Sequence, residues 1–225
     1  REQRLVTEKP PGHSRFLWRV APPAVRAAGK LFFSLETEFE TPPPSPPFVM
    51  ASNHYSHFDS PVVGAPLGIP IRFLALEDLF GVNRLLDWLV SGFGAIPTPR
   101  GRVPVRAVRT ALAALDRGEV VGVFPESTRV SHWGTLSPKR GAAWLAVRAG
   151  VPLLPAAVIG TGHAFGLENR LRRYPIRVVY GKPIHPEDRT VEDLLREWTE
   201  WIGKQIARYP GSEVSGDRRA FFVGL

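Results

Sequence analysis

Two short segments of this chain hold side chains able to move a proton and to grip an anion. The first is Ser52-Asn53-His54-Tyr55-Ser56-His57-Phe58-Asp59. A histidine that titrates near neutrality is the usual general base for a hydroxyl. It works best when a carboxylate holds its other ring nitrogen, fixing the tautomer and stabilising the imidazolium. On one regular helix His54 and Asp59 would lie about 140° apart around the axis, at 3.6 residues per turn, and could not meet. They can meet if His54 sits in a loop and Asp59 in the first turn of the helix that follows. Ser56 suits the N-cap of such a helix, and Pro61 is tolerable in its first turn. His57, two residues from Asp59, competes for the same partnership. His54, His57 and Asp59 could also suggest a metal site, but no further ligands cluster nearby and no metal is expected. A lone His and Asp at this spacing also occur in ordinary exposed loops.

The second segment is Val121-Gly122-Val123-Phe124-Pro125-Glu126-Ser127-Thr128-Arg129. Pro125 stops an apolar run, and the next residues place a carboxylate, two hydroxyls and a guanidinium at its tip. Arg129 suits bidentate contact with phosphate, and Glu126 can hold a substrate hydroxyl or orient an arginine. A surface ion pair at a strand end is the plainer alternative, worth little to stability. Two further segments end apolar runs: Gly94-Ala95-Ile96-Pro97-Thr98-Pro99-Arg100-Gly101, and Val151-Pro152-Leu153-Leu154-Pro155-Ala156-Ala157. The latter reads as core, with a bend or sheet edge at its second proline.

These segments need a scaffold of strands. Buried strands are expected over 48–51, 71–76, 93–96, 120–124, 151–159 and 177–180, where short apolar runs recur. Helical periods fill 103–117, 139–148 and 190–209, the last opening on a capping-box pattern at Thr190-Val191-Glu192-Asp193. Their alternation predicts a three-layer α/β domain with a largely parallel central sheet flanked by helices, its site in loops beyond the strand ends. Upstream, Ser14 to Phe39 mixes Phe16, Trp18, Phe32 and Phe33 with Arg15, Arg19, Arg26 and Lys30. Pro22-Pro23 predicts a break into two short basic amphipathic helices, suited to docking in a headgroup layer through those four aromatics or to packing over the domain. Residues 1–41 are therefore assigned to a basic amphipathic segment, 42–47 to a stiff proline-rich linker and 48–225 to the α/β domain.

Composition narrows the chemistry further. The 225 residues include no cysteine, which removes disulfides, thiolate nucleophiles and thiolate metal sites. A formal charge of +8 suits a polyanionic partner: anionic lipid, a phosphate-bearing cofactor or nucleic acid. Nucleic acid is not the expected partner, because no zinc-finger, helix-turn-helix or aromatic RNA-binding signature is present. No run of 18 or more apolar residues is present, so no membrane-spanning helix is expected here. The chain opens on Arg1 and its only methionine is Met50, so a longer parent protein is expected.

In this order, the four segments resemble the sequence blocks of the glycerophospholipid acyltransferase family, which includes 1-acylglycerol-3-phosphate acyltransferases. His54 and Asp59 match its His-x4-Asp, and Phe124-Pro125-Glu126-Ser127-Thr128-Arg129 matches its Phe-Pro-Glu-Gly-Thr-Arg. Arg100 matches the arginine closing the second block, 151–155 the fourth, and Lys139-Arg140-Gly141 the basic Lys-x-Gly after the third. The likeness spans roughly residues 48–184.

That resemblance implies an acyltransferase domain in which His54 takes the proton from an acceptor hydroxyl as it attacks a thioester carbonyl, with Asp59 orienting the ring. Arg100, Glu126, Ser127, Thr128, Arg129 and Lys139 would bind the acceptor, a lysophospholipid such as 1-acylglycerol-3-phosphate. The donor would be acyl-CoA or acyl carrier protein, with no further cofactor and no metal. The implied location is the cytoplasmic face of a membrane, peripherally attached. The chain departs from the family at Ser127, where glycine is usual; at Pro97-Thr98-Pro99-Arg100, where an apolar residue and Asp usually precede the arginine; and at Pro138, where an aromatic is usual. A differently shaped loop or an added hydroxyl is expected at Ser127. The alternatives are the same chemistry on a glycolipid or lyso-aminolipid, and a non-catalytic basic protein that binds membranes or nucleic acid.

Overall fold

The computed structural model describes residues 13–99, 105–167 and 170–211. Its centre is a seven-stranded sheet. The strands are β1 (Glu36–Phe39), β2 (Phe48–Ser52), β3 (Ile71–Leu76), β4 (Ile96–Thr98), β5 (Val120–Val123), β6 (Leu153–Ile159) and β7 (Arg177–Tyr180). Their spatial order is β1-β7-β6-β2-β5-β3-β4. Strands β6, β2, β5, β3 and β4 are mutually parallel, so their C-terminal ends share one edge. β7 runs antiparallel to β6, and β1 parallels β7. The expected largely parallel sheet is present.

β2, β5 and β6 are buried along their whole length, as expected of strands covered on both faces. Alternate residues serve the two faces. Val49 and Ala51 join a cluster with Ala111, Leu145, Trp198 and Ile202 from helices α4 (Val105–Asp116), α5 (Gly141–Ala149) and α7 (Val191–Ala207). Phe48 and Met50 join the opposite cluster, where Trp18 and Phe33 of α1 (Arg15–Phe33) and Val62 and Val63 of α2 (Asp59–Gly64) pack. The three layers are thus helices, sheet and helices. α3 (Arg84–Gly92) and α6 (Thr161–Phe165) complete the set.

Several expected elements differ in detail. β4 begins at Ile96 rather than Phe93, because residues 93–94 continue the turn that closes α3. Pro22-Pro23 do not break the N-terminal segment: α1 is a single helix of 19 residues with both prolines inside. Tertiary packing outweighs the lost backbone bonds, since Leu17 and Pro22 are buried and the Trp18 indole N–H donates to the Phe93 carbonyl. That packing also revises the aromatic set. Trp18 and Phe33 turn inward, Trp18 meeting Phe93 edge-on at 5.3 Å and Phe33 meeting Phe58 at 5.8 Å, while Phe16 and Phe32 are exposed. The helix ends at Ser34 in the left-handed region, and Gly29 leaves room for Leu35 to fold back, as a Cβ there would lie 2.6 Å from Leu35 Cδ2. Residues 41–47 then connect β1 to β2 within this sheet.

Candidate active site

β2 and β5 lie side by side, Ala51 opposite Val123, so the loops that follow them leave the sheet at one edge. Asn53, the first residue beyond β2, is fully buried and acts as a clamp. Its side-chain amide donates to the Val158 carbonyl at 2.8 Å and its carbonyl accepts from the Val158 N–H at 2.8 Å. The loop therefore leaves β2 in a fixed direction. His54 follows, and α2 starts at Asp59 as the spacing requires.

His54 Nδ1 and Asp59 Oδ2 are 2.8 Å apart. The same oxygen accepts the backbone N–H groups of Tyr55 at 2.6 Å and Ser56 at 2.7 Å. Asp59 is fully buried, whereas the His54 side chain keeps 18 % exposure. Three donors converging on one buried oxygen fix the carboxylate in place and turn the ring's Nδ1 toward it, so Nε2 is left to the open side. Ser56 is not the N-cap; Phe58 is. The Ser56 hydroxyl instead accepts from the Phe58 N–H and donates to the Phe165 carbonyl at 2.5 Å. Of the two histidines it is His54 that bonds Asp59. His57 lies at the surface, where partial desolvation of its ring, then the charges of Arg129 and His54, lower its pKa against the pull of Asp59.

Behind the imidazole lies a stack of rings. Phe124 stacks on His54 at 4.1 Å and 15°, and Phe73 of β3 stacks on Phe124 at 5.5 Å and 13°. Phe73 pairs with Gly122 across the strands. A Cβ at residue 122 would sit 2.6 Å from the Phe73 ring, so only glycine lets that ring cross β5 to reach Phe124. The stack leaves the imidazole little freedom to tilt.

The loop after β5 supplies the second set of groups, and the Val130 N–H ties it to the His54 carbonyl at 2.9 Å. Glu126 is 3 % exposed. Among the described residues neither of its carboxylate oxygens has a hydrogen-bond partner. Burial, with the Asp59 charge adding to it, pushes its pKa up to about 8, so at neutral pH the carboxyl is protonated and able to donate. Arg129 is half-buried with Nη1 unpartnered among the described residues, and desolvation lowers its pKa while Asp59 opposes the shift.

Ser127 and Thr128 are exposed at the loop tip. Ser127 has φ 61°, and its N–H donates to the Phe124 carbonyl at 2.9 Å. The backbone thus takes a glycine-like, left-handed turn with serine in it. Lys139 is exposed and joins the loop through its backbone, its N–H donating to the Pro125 carbonyl at 2.8 Å. Arg100 lies outside the described residues.

The structure therefore brings His54, Asp59, Glu126 and Arg129 to one sheet edge. Sequence reasoning missed Asn53, Gly122 and Phe73. A buried amide beside the histidine and a glycine inside an otherwise β-branched strand were the signals available. Among the described residues no group of three His, Asp or Glu side chains is placed to hold a metal ion.

Residues 35–159 match the family model described as Acyltransferase. The 1-acyl-sn-glycerol-3-phosphate acyltransferase of Bacillus subtilis is 30% identical over 163 residues, covering 71% of this chain and 79% of that protein. A chloroplastic 1-acyl-sn-glycerol-3-phosphate acyltransferase of Brassica napus is 34% identical over 144 residues, covering 62% of this chain. The chain spans 41% of the length of that relative and 40% of a similar one from Arabidopsis thaliana. In fold it is similar to the crystal structure of the 1-acyl-sn-glycerophosphate (LPA) acyltransferase PlsC from Thermotoga maritima. The TM-score is 0.72 at 23% identity, over 86% of this chain and 80% of the other.

Proposed function

The chain belongs to the acyltransferase family, and from that premise we propose that it moves a fatty acyl group from a thioester to the free hydroxyl of a lysophospholipid of the 1-acylglycerol-3-phosphate kind. The observation that carries the reading is the His54–Asp59 pair at 2.8 Å, held at the sheet edge beside Glu126 and Arg129. With Nδ1 held by Asp59, Nε2 takes the acceptor hydroxyl's proton as its oxygen attacks the thioester carbonyl carbon. The tetrahedral adduct then expels the thiolate, which recovers the proton from the imidazolium. Transfer of this kind contributes on the order of 10² to 10⁴ in rate, and positioning of the two substrates supplies much of the rest. Arg129, with Arg100 and Lys139, serves the acceptor's phosphate. The neutral Glu126 carboxyl donates to an acceptor oxygen, and Ser127 and Thr128 add hydroxyls at the loop tip.

The donor is acyl-CoA or acyl carrier protein; both are anionic and suit a net charge of +8. The location is the cytoplasmic face of a membrane, peripherally attached through α1. At about 100° per residue, the exposed Phe16, Val20, Pro23, Ala27 and Leu31 fall within an arc of about 80°. Arg15, Arg19, Arg26 and Lys30 form the adjoining ridge, a pattern suited to a headgroup layer. Among the described residues no helix is long and apolar enough to cross a membrane.

The test is thiol release from palmitoyl-CoA in the presence of lysophosphatidate, of monoacylglycerol, and of no acceptor. Release that depends on lysophosphatidate supports the assignment. Equal release with monoacylglycerol would move the acceptor to a lipid without phosphate, and release independent of any acceptor would overturn the transfer reaction.

A further inference from the structure

The loop between α6 and β7 has features that neither the site nor the core explains. β6 and β2 are parallel, and β7 turns back along β6, so the chain leaves β6 at Gly160 and re-enters the sheet after Ile176 on the edge that carries His54. Within it Leu167 is 44 % and Leu171 is 65 % exposed. The segment Arg170-Leu171-Arg172-Arg173-Tyr174-Pro175 carries three arginines and no acid, and all three arginines are exposed.

This loop is pinned on both sides. The Arg172 N–H donates to the Ala164 carbonyl at 2.8 Å and the Ile176 N–H to the Phe33 carbonyl at 2.9 Å. Tyr174 stacks on His163 at 4.4 Å, and the Arg173 guanidinium lies 5.9 Å from the centre of the Phe32 ring. That last contact joins the loop to the end of α1, where Leu31 is 72 % and Phe32 is 48 % exposed. Leucines and a phenylalanine thus stand out of one fixed frame, ringed by cations. Single exposed apolar residues need no explanation, but a cluster does.

We propose that the α6–β7 loop is a second lipid-docking element, adjoining the C-terminal end of α1's outer face. Leu167 and Leu171 enter the headgroup layer of an anionic bilayer beside Leu31 and Phe32, and Arg170, Arg172 and Arg173 meet lipid phosphates. Charge argues for this occupant, since Arg170, Arg172 and Arg173 outnumber the loop's one acid, Glu168, and a net positive apolar tip complements an anionic interface. Position gives it a purpose, which rests on the proposed lysophospholipid acceptor. Phe33, Phe58 and Phe165 form a row with centroids 5.8 Å and 4.7 Å apart, leading from the platform to the start of the helix that carries Asp59. A lipid acceptor can then reach the His54 edge without leaving the bilayer.

The chain has no cysteine, so single cysteines can be labelled cleanly. In the full chain, Leu171→Cys and Leu85→Cys would each carry an environment-sensitive fluorophore; Leu85, on α3, is 66 % exposed and serves as the comparison. Vesicles of phosphatidylcholine alone and with about 30 % phosphatidylglycerol would be added. The expected result is a blue shift at residue 171 on the anionic vesicles and none at residue 85. A label at residue 171 that stays unmoved on vesicles that sediment the protein would overturn the proposal. In a second arm, Arg170→Gln, Arg172→Gln and Arg173→Gln together should weaken binding to anionic vesicles by at least about tenfold. Transfer to a short-chain, water-soluble lysophosphatidate should persist in that variant. Unchanged vesicle affinity would also overturn the proposal. Failure of the unaltered chain to acylate the soluble acceptor would sink the assigned reaction instead, with the vesicle arm still deciding the loop.

Discussion

Replacing Glu126 by glutamine should relieve the protein of a stability loss that grows with pH. In the folded chain, burial first and the Asp59 charge second raise this carboxyl from 4.5 to about 8. The unfolded chain releases the proton near 4.5, so between the two values the folded state holds a proton that the unfolded state has lost. Stability is therefore full below about pH 4.5 and declines as pH rises toward 8. Each tenfold change in the ionisation constant is worth about 1.4 kcal/mol, which puts the whole decline on the order of 5 kcal/mol, most of it already lost at pH 7. Glutamine keeps the shape of the neutral carboxyl and has no proton to release. Urea unfolding of both proteins at pH 5, 7 and 9 measures the difference. The variant's advantage should open from about 1 kcal/mol at pH 5 to on the order of 5 kcal/mol at pH 9. Parallel pH courses for the two proteins would refute a buried, neutral Glu126.

Three further substitutions probe the frame around the site. Asn53→Ala removes both bonds to Val158 and leaves a buried N–H and C=O unpaired, so unfolding should become easier by about 2–4 kcal/mol in urea titration. Gly122→Ala would place a Cβ 2.6 Å from the Phe73 ring; a displaced stack should lower kcat with little change in KM, and cost about 1–3 kcal/mol of stability. Ser127→Gly relieves a positive φ of 61° and should raise stability by about 0.5–1 kcal/mol in thermal melting, the strain released exceeding the entropy lost by the freer chain.

The sequence was most legible where burial was greatest. β2, β5 and β6 are wholly buried, so their apolar runs stood out. β1 reads Glu-Thr-Glu-Phe and is exposed along its length; it is a strand because β7 offers it a ladder, which no local pattern reveals. α3 escaped notice because it buries none of its residues, although Asn83 caps it by accepting from the Leu86 N–H at 2.9 Å. The capping box at Thr190 and Asp193 was readable because it is a purely local device, and both of its bonds are present. The same holds in the site. The meeting of His54 and Asp59 followed from turn geometry, since five residues can close only across a loop and a helix start. What fixes them is non-local: the Asn53 clamp reaches across 105 residues, and the ring stack draws on two strands. No spacing rule could disclose either.

The most direct test of the account is kcat for palmitoyl transfer to lysophosphatidate in the wild-type chain and in His54→Ala, with both substrates saturating. His54 is the group proposed to take the proton, so kcat should fall by at least about a hundredfold while KM stays within a few-fold. The thermal midpoint should hold, since the ring is partly exposed and Asp59 keeps its two backbone donors. A folded His54→Ala protein that turns over within about threefold of wild type would contradict the assignment of His54 as the base.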